Sequence, residues 1–483
     1  MNRPVIPIRP VGADDADSAQ LVSLYQKGPE IYARSVKGWF AGWRWVFVWL
    51  TQLFFYGMPW LQWNGRQALL FDLDAQRFYI LGLVLYPHDL IFLAALLVIS
   101  ALALFFFTAV AGRLWCGYSC PQTVYTEIFM WVERKIEGDR IARMRLDSAP
   151  WGLNKIVRKG GTQAAWIAIA LFTGFSFVGY FTPIRELAHD VLRLDVSGWN
   201  AFWILFYGAA TYGNAGYLRE QMCKYICPYA RFQGALIDKD SLIITYDTAR
   251  GEPRGSRSRK ASAASQGKGD CIDCTLCVQV CPTGIDIRNG LQNECIACAA
   301  CIDVCDDVME KMDYPKGLIR YSTENGMAKG WSRAQMFKRV LRPRVLIYGA
   351  LLAAASVAFA VSVALRSPFQ FEIIRDRAAL ARIVDDGVVE NVYSVRVMNR
   401  TESPQRYRIA VSGIDALRLD ARDVAVPPAG IETVVARVQL PPEAAQALRG
   451  KSTPIEFELR TLGADGTASG AVLRRESTFH VPR

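Results

Sequence analysis

Histidine is nearly absent from this chain, with three residues in 483. His88 and His189 each fall just outside an apolar run and are each followed by an acid, Asp89 or Asp190. Such pairs at a membrane boundary are expected to be solvated rather than to contact metal or quinol. His480 falls in an alternating pattern and is expected to be structural. The opening MNRPVIPIRPVGADDADSAQ lacks a basic region followed by an apolar one, so no cleavable signal peptide is expected. The stretch TARGEPRGSRSRKASAASQGKG has almost no large apolar residue, which excludes a packed core and predicts a flexible basic linker. Residues 367–483 contain no cysteine and no catalytic constellation. Their expected role is docking or stability.

Apolar residues, by contrast, make up 52% of the chain, too many for a wholly soluble protein. A hydrocarbon core about 30 Å thick needs roughly 20 apolar residues per helix. Five windows are expected to span: Arg44 to Trp60, Leu90 to Ala111, Thr162 to Phe181, Trp199 to Tyr217 and Val345 to Leu365. Arg44, inside the first, is expected to snorkel to the membrane surface. The loop Arg113 to Lys159 carries nine Arg and Lys residues, against two each in Leu61 to His88 and Thr182 to Gly198. That contrast places the nine-charge loop in the cytoplasm and everything after Leu365 outside. The net charge of +11 is then mostly a topology signal, and no nucleic-acid partner is expected.

The signals divide the chain into an N-terminal cytoplasmic segment (1–37), a four-span membrane domain (38–245), a linker (246–269), a cysteine-dense domain (270–323), a cytoplasmic connector (324–343), a fifth span (344–366) and a C-terminal domain (367–483). In the last, NVYSVRVMN puts Tyr393, Val395 and Val397 on one face, and TVVARVQL and IEFELRTL alternate likewise. The pattern predicts an external, all-β, immunoglobulin-like sandwich.

All twelve cysteines fall into motifs. CIDCTLCVQVCP supplies Cys271, Cys274, Cys277 and Cys281, and CIACAACIDVC supplies Cys295, Cys298, Cys301 and Cys305. Both have the Cys-x2-Cys-x2-Cys-x3-Cys spacing of bacterial ferredoxins, where the fourth cysteine ligates the other cluster. On that rule one [4Fe–4S] cluster takes Cys271, Cys274, Cys277 and Cys305, and a second takes Cys295, Cys298, Cys301 and Cys281. Disulfides are disfavoured in a reducing cytoplasm, and zinc does not need two interlocking runs. No proline follows Cys305, unlike Cys281.

The other four cysteines are in RLWCGYSCPQ and EQMCKYICPY: Cys116, Cys120, Cys223 and Cys227. At i and i+4 each pair is expected to share a helix face, with Pro121 or Pro228 ending or kinking the helix. Together they offer up to four soft sulfurs, suited to Cu(I), zinc or an iron–sulfur centre; the alternative is plain packing of small buried thiols. The repetition reads as a parallel internal repeat, whose interface suits a site.

These motifs, the run CPTGIDIRNGLQNECIACAACIDVCD, the segment KGLIRYST at 316–323 and the five-span layout with its external sandwich resemble the FixG/RdxA/CcoG family, accessory proteins of cbb3-type cytochrome c oxidase assembly. The resemblance implies a multi-pass protein of the bacterial inner membrane, with a cytoplasmic ferredoxin domain and a periplasmic C-terminal domain. It implies an iron–sulfur oxidoreductase that reduces Cu(II) to Cu(I), with copper as substrate at Cys116, Cys120, Cys223 and Cys227 and the other eight cysteines as cluster ligands. Implied partners are copper-delivery proteins, oxidase assembly components and a cytoplasmic or quinol electron donor, with a homo-oligomer also open. Two rivals remain: a quinol dehydrogenase-type electron-transfer subunit and a non-enzymatic copper-binding scaffold.

Overall fold

The computed structural model describes residues 31–257, 267–376, 380–420, 423–463 and 468–483. Most of the 1–37 segment, and 258–266 within the expected linker, lie outside them. Nine helices organise the part that matters for function: α1 (Trp39–Gly57), α2 (Leu90–Ala111), α3 (Leu114–Tyr118), α4 (Pro121–Ile136), α5 (Leu153–Val178), α6 (Gly198–Tyr212), α7 (Pro228–Leu236), α8 (Ala300–Lys311) and α9 (Pro343–Ala364).

All five apolar windows are helical, but three helices among the described residues are long and apolar enough to cross a membrane: Pro87–Ala111, Leu153–Val178 and Pro343–Ala364. The other two fall short for visible reasons. Helix α1 is rich in Trp and carries Arg44 and Gln52, whereas α6 has 15 residues before the chain widens into a π-helical segment, Gly213–Leu218. Helices α2 and α9 pack on each other through Gly349 against Phe106 and an edge-on contact of Phe92 with Phe359. Helices α5 and α6 approach so closely that a Cβ on Gly174 would lie 2.2 Å from the Ile204 carbonyl oxygen. Small residues permit such crossings where burial of apolar surface supplies no drive.

The helices have two ends. At one, the α1–α2 connection folds into a three-stranded sheet, Leu69–Asp72, Arg77–Ile80 and Leu83–Leu85, which shares a small core with Met398 and Ala429 of the C-terminal domain. That domain stacks a five-stranded sheet on a four-stranded one. Tyr393, Val395 and Val397 are fully buried between them, on the face their alternation predicts. Asp89 is no solvated partner of His88: it is buried and holds Arg366 at 3.0 Å and Arg400 at 2.7 Å, while His88 pairs with Glu372. This network ties the end of α9 and the sandwich to the start of α2.

At the other end lies the ferredoxin module. The expected boundary at 245/246 falls inside a strand, Ile243–Tyr246, that pairs antiparallel with Ile319–Ser322. Ile244 and Tyr246 belong to the core around Cys271 and Cys277, so the module begins before its cysteines. The flanks of the expected linker are also engaged, since Arg250 binds Asp270 and the carbonyls of Pro315 and Lys316.

Candidate metal centres

Helix α3 and helix α4 show how proline shapes the first motif. Because a residue before proline is pushed out of the α region, Cys120 is extended (φ −61°, ψ 129°) and caps α4, with Pro121 as its first residue. Cys227 does the same for α7 and Pro228, and Cys223 lies in a second π-helical stretch, Met222–Ile226. Neither pair therefore shares one continuous helix face, as spacing alone suggested. The proline starts a new helix instead. Thr123 donates to the Cys116 carbonyl at 2.5 Å, and Gln233, fully buried, bonds the Cys116 sulfur at 3.3 Å.

The two motifs meet. Cys116 lies within electrostatic range of Cys120 and Cys223, and Cys120 and Cys223 each lie within range of Cys227. Burial pushes the Cys116 thiol up to about 12 and the Cys223 thiol to about 11, and raises that of Cys120. A metal taken up here must displace protons.

The eight remaining cysteines line two adjoining cavities. One lies between Cys271, Cys274, Cys277 and Cys305. The other is walled by Cys281, Cys295, Cys298 and Cys301 and reaches Cys277. Around each middle cysteine the chain takes two left-handed residues, Asp273 and Thr275 about Cys274, and Ala297 and Ala299 about Cys298. Non-glycine residues rarely adopt that conformation, and its recurrence forms backbone concavities of the kind found at iron–sulfur sites. Among the described residues no three His, Cys, Asp or Glu side chains converge on a single metal ion. A four-iron cubane asks for something different, a cage ringed by thiols, and the two cavities fit it. Burial raises Cys295 and Cys305 to about 12 and Cys277 to about 11, with Arg288 opposing at Cys277.

The motif and the second cavity touch. A Cβ on Gly117 would lie 2.7 Å from the Ile296 carbonyl oxygen, so α3 rests on the loop between Cys295 and Cys298. Arg113 binds the carbonyls of Asn293 and Ala230. Arg44 does not snorkel: it is buried, pairs with Glu127 at 3.7 Å, and its charge opposes the burial that raises the Cys298 thiol. Asp303, between Cys301 and Cys305 on α8, accepts from the first amides of α1, Phe40 at 3.2 Å and Ala41 at 2.7 Å. Gln233, Gly117 and Asp303 went unmarked in the sequence, because their roles arise from contacts 117 to 263 residues away in the chain.

Residues 218–324 match a family model described as a 4Fe-4S dicluster domain, residues 93–138 one described as a 4Fe-4S binding domain, and residues 359–482 the IG-like fold at the C-terminal of FixG. Protein RdxB of Cereibacter sphaeroides is 38% identical over 477 residues, 95% of this chain and 98% of the relative. Nitrogen fixation protein FixG of Rhizobium meliloti is 36% identical over 441 residues, 84% of each. A methylamine utilization ferredoxin-type protein, MauN of Methylorubrum extorquens, is 24% identical over 182 residues, 38% of this chain and 52% of the relative. The crystal structure of a FixG-related protein from Vibrio parahaemolyticus aligns over 24% of this chain and 96% of that one, with 24% identity and a TM-score of 0.20. With 4Fe–4S binding domains, three candidate spans and identity extending over nearly its whole length, this chain belongs to the FixG/RdxA/RdxB family.

Proposed function

We propose that the chain is a membrane-bound cupric reductase that serves assembly of cbb3-type cytochrome c oxidase. The carrying observation is the seat of α3 on the Cys295–Cys298 loop, which sets the CxxxCP thiols beside a cluster cage. Cys271, Cys274, Cys277 and Cys305 would hold one [4Fe–4S] cluster and Cys281, Cys295, Cys298 and Cys301 the other, supplying one-electron transfer. Cys116, Cys120, Cys223 and Cys227 are the thiols offered to the substrate copper, a neighbourhood of soft sulfurs that would draw in around the ion. Thiolates favour Cu(I) over Cu(II), so ligation itself adds to the driving force and retains the product until a delivery protein takes it. Gln233 orients the Cys116 sulfur. On this reading α1 and α6 join the three long helices as spans, giving five, with the ferredoxin module in the cytoplasm and the sandwich in the periplasm.

The family match on 93–138 favours a second reading, since that 4Fe-4S model covers Cys116 and Cys120. The four CxxxCP sulfurs would then hold a third iron–sulfur centre. Iron analysis of anaerobically purified protein separates the two, at about eight irons per chain against about twelve. Changing the four CxxxCP cysteines to Ser should abolish copper binding and cupric reduction while iron content stays at about eight. Copper reduction at the parent rate in that variant overturns the proposal.

A further inference from the structure

Between α1, α4 and α5 runs a groove of about 610 Å³, walled by Trp45, Trp49, Tyr56, Trp131 and Phe172. Its size is that of a small-molecule site, and its outer wall is exposed on membrane-facing helices, with Trp49 and Leu53 more than three-fifths accessible. An acyl chain alone would suit such walls, but the groove also holds Gln52. That side chain is 9% exposed and hydrogen-bonds Tyr125, yet its Oε1 has no donor of its own. Beside it in the wall is Tyr56, whose hydroxyl bonds Thr173 at 2.9 Å and approaches Tyr125 at 3.4 Å behind the lining. A buried amide oxygen without a donor is left unsatisfied, and a ligand hydroxyl would satisfy it. The occupant these features ask for is flat, aromatic-sized and lipid-soluble, with a hydroxyl on the ring.

The location adds a redox reason. Trp45 and Ile128 of the wall are chain neighbours of Arg44 and Glu127, the ion pair whose charges act on Cys298. We infer that the groove binds a membrane quinol, with Gln52 Oε1 accepting from a ring hydroxyl, and that this quinol is the protein's electron donor. This rests on the cupric reductase reading only for the fate of the electrons. Oxidation breaks both O–H bonds of the quinol, releases two protons to water, and yields the quinone and two electrons. These pass singly to the iron–sulfur groups held by the ferredoxin cysteines, and two electrons match two Cu(II) reduced to Cu(I).

The test uses the full chain, anaerobic and in lipid nanodiscs, without copper. Decylubiquinol should bleach the iron–sulfur absorbance, and decylubiquinone should quench tryptophan fluorescence through Trp45, Trp49 and Trp131. Gln52→Leu should raise the decylubiquinol concentration that half-bleaches the absorbance about tenfold, the worth of one such hydrogen bond, and should leave the binding of decylubiquinone, which has no ring hydroxyl to donate, nearly unchanged. Leu53→Trp, which fills the groove from its lipid side, should abolish binding without touching the buried amide. Dithionite, which needs no groove, should bleach both variants like the parent, so a misfolded variant shows itself. The inference is overturned if decylubiquinol leaves the parent unbleached, if it bleaches both variants at the parent's concentration, or if mass spectrometry finds a phospholipid alone that quinone does not displace. Since no copper is present, none of these outcomes bears on cupric reduction.

Discussion

Cys281 sits in the first cysteine run but lines the cavity of the second, together with Cys295, Cys298 and Cys301. Cys281→Ser should therefore damage the group held there and spare the one at Cys271, Cys274 and Cys277, as read by electron paramagnetic resonance. Damage confined to the latter would refute the cross-ligation. The CxxxCP thiols carry a pH signature. Burial lifts Cys116 and Cys223 well above the ordinary thiol range, so at neutral pH both hold protons that a metal must expel. Copper affinity should rise with pH, by up to about tenfold per unit for each proton released, and a pH-stat titration should count those protons. A flat affinity between pH 6 and 9 would mean that these thiols are not the ligands. The cysteines themselves were legible from spacing, because a cubane imposes its ligand interval on the chain. Gln233 was not, because a buried glutamine looks like any other until its neighbour is known.

At the scale of elements, the start of α1 depends on a side chain from another domain. Gly38 precedes α1 without a capping side chain of its own, and Asp303 takes its place from α8. A Cβ on Gly38 would meet Asp303 within 2.3 Å, so the glycine is what lets the carboxylate reach the helix end. Asp303→Ala should cost about 0.5–2 kcal/mol, the range for losing a helix cap. It should also loosen α8, which carries Cys301 and Cys305, and so hasten iron loss to a chelator. Asp303→Asn, which keeps an acceptor, should lose less, and equal rates in both variants would deny the capping role. Helix α1 was visible as an apolar run. Its cap was not, because the two residues are 263 positions apart. Pro121 and Pro228 are legible as breaks because proline lacks the amide hydrogen a continuing helix needs, but periodicity does not show that each also begins a helix.

Across the whole molecule, three helices are long and apolar enough to cross a membrane, and the last of them is pinned at both ends. Arg342 and Arg344 bind Asp238 at the start of α9, and Arg366 binds Asp89 just past its end. A reporter fused after Gly269 should behave as cytoplasmic and one after Arg366 as external; both on one side would break the proposed topology. By itself the sequence determined the domain order, the iron–sulfur spacing and the inward face of the sandwich, because each is a local period that short-range chemistry imposes. The tertiary structure decided the rest. It joined the two CxxxCP motifs, seated Gly117 on the Cys295–Cys298 loop, and turned Arg44 inward to Glu127. It also set the Gln52 amide oxygen, without a donor, in the groove between α1, α4 and α5. None of these has a period along the chain, since each depends on which distant surfaces pack together, and that is fixed only when the whole fold closes.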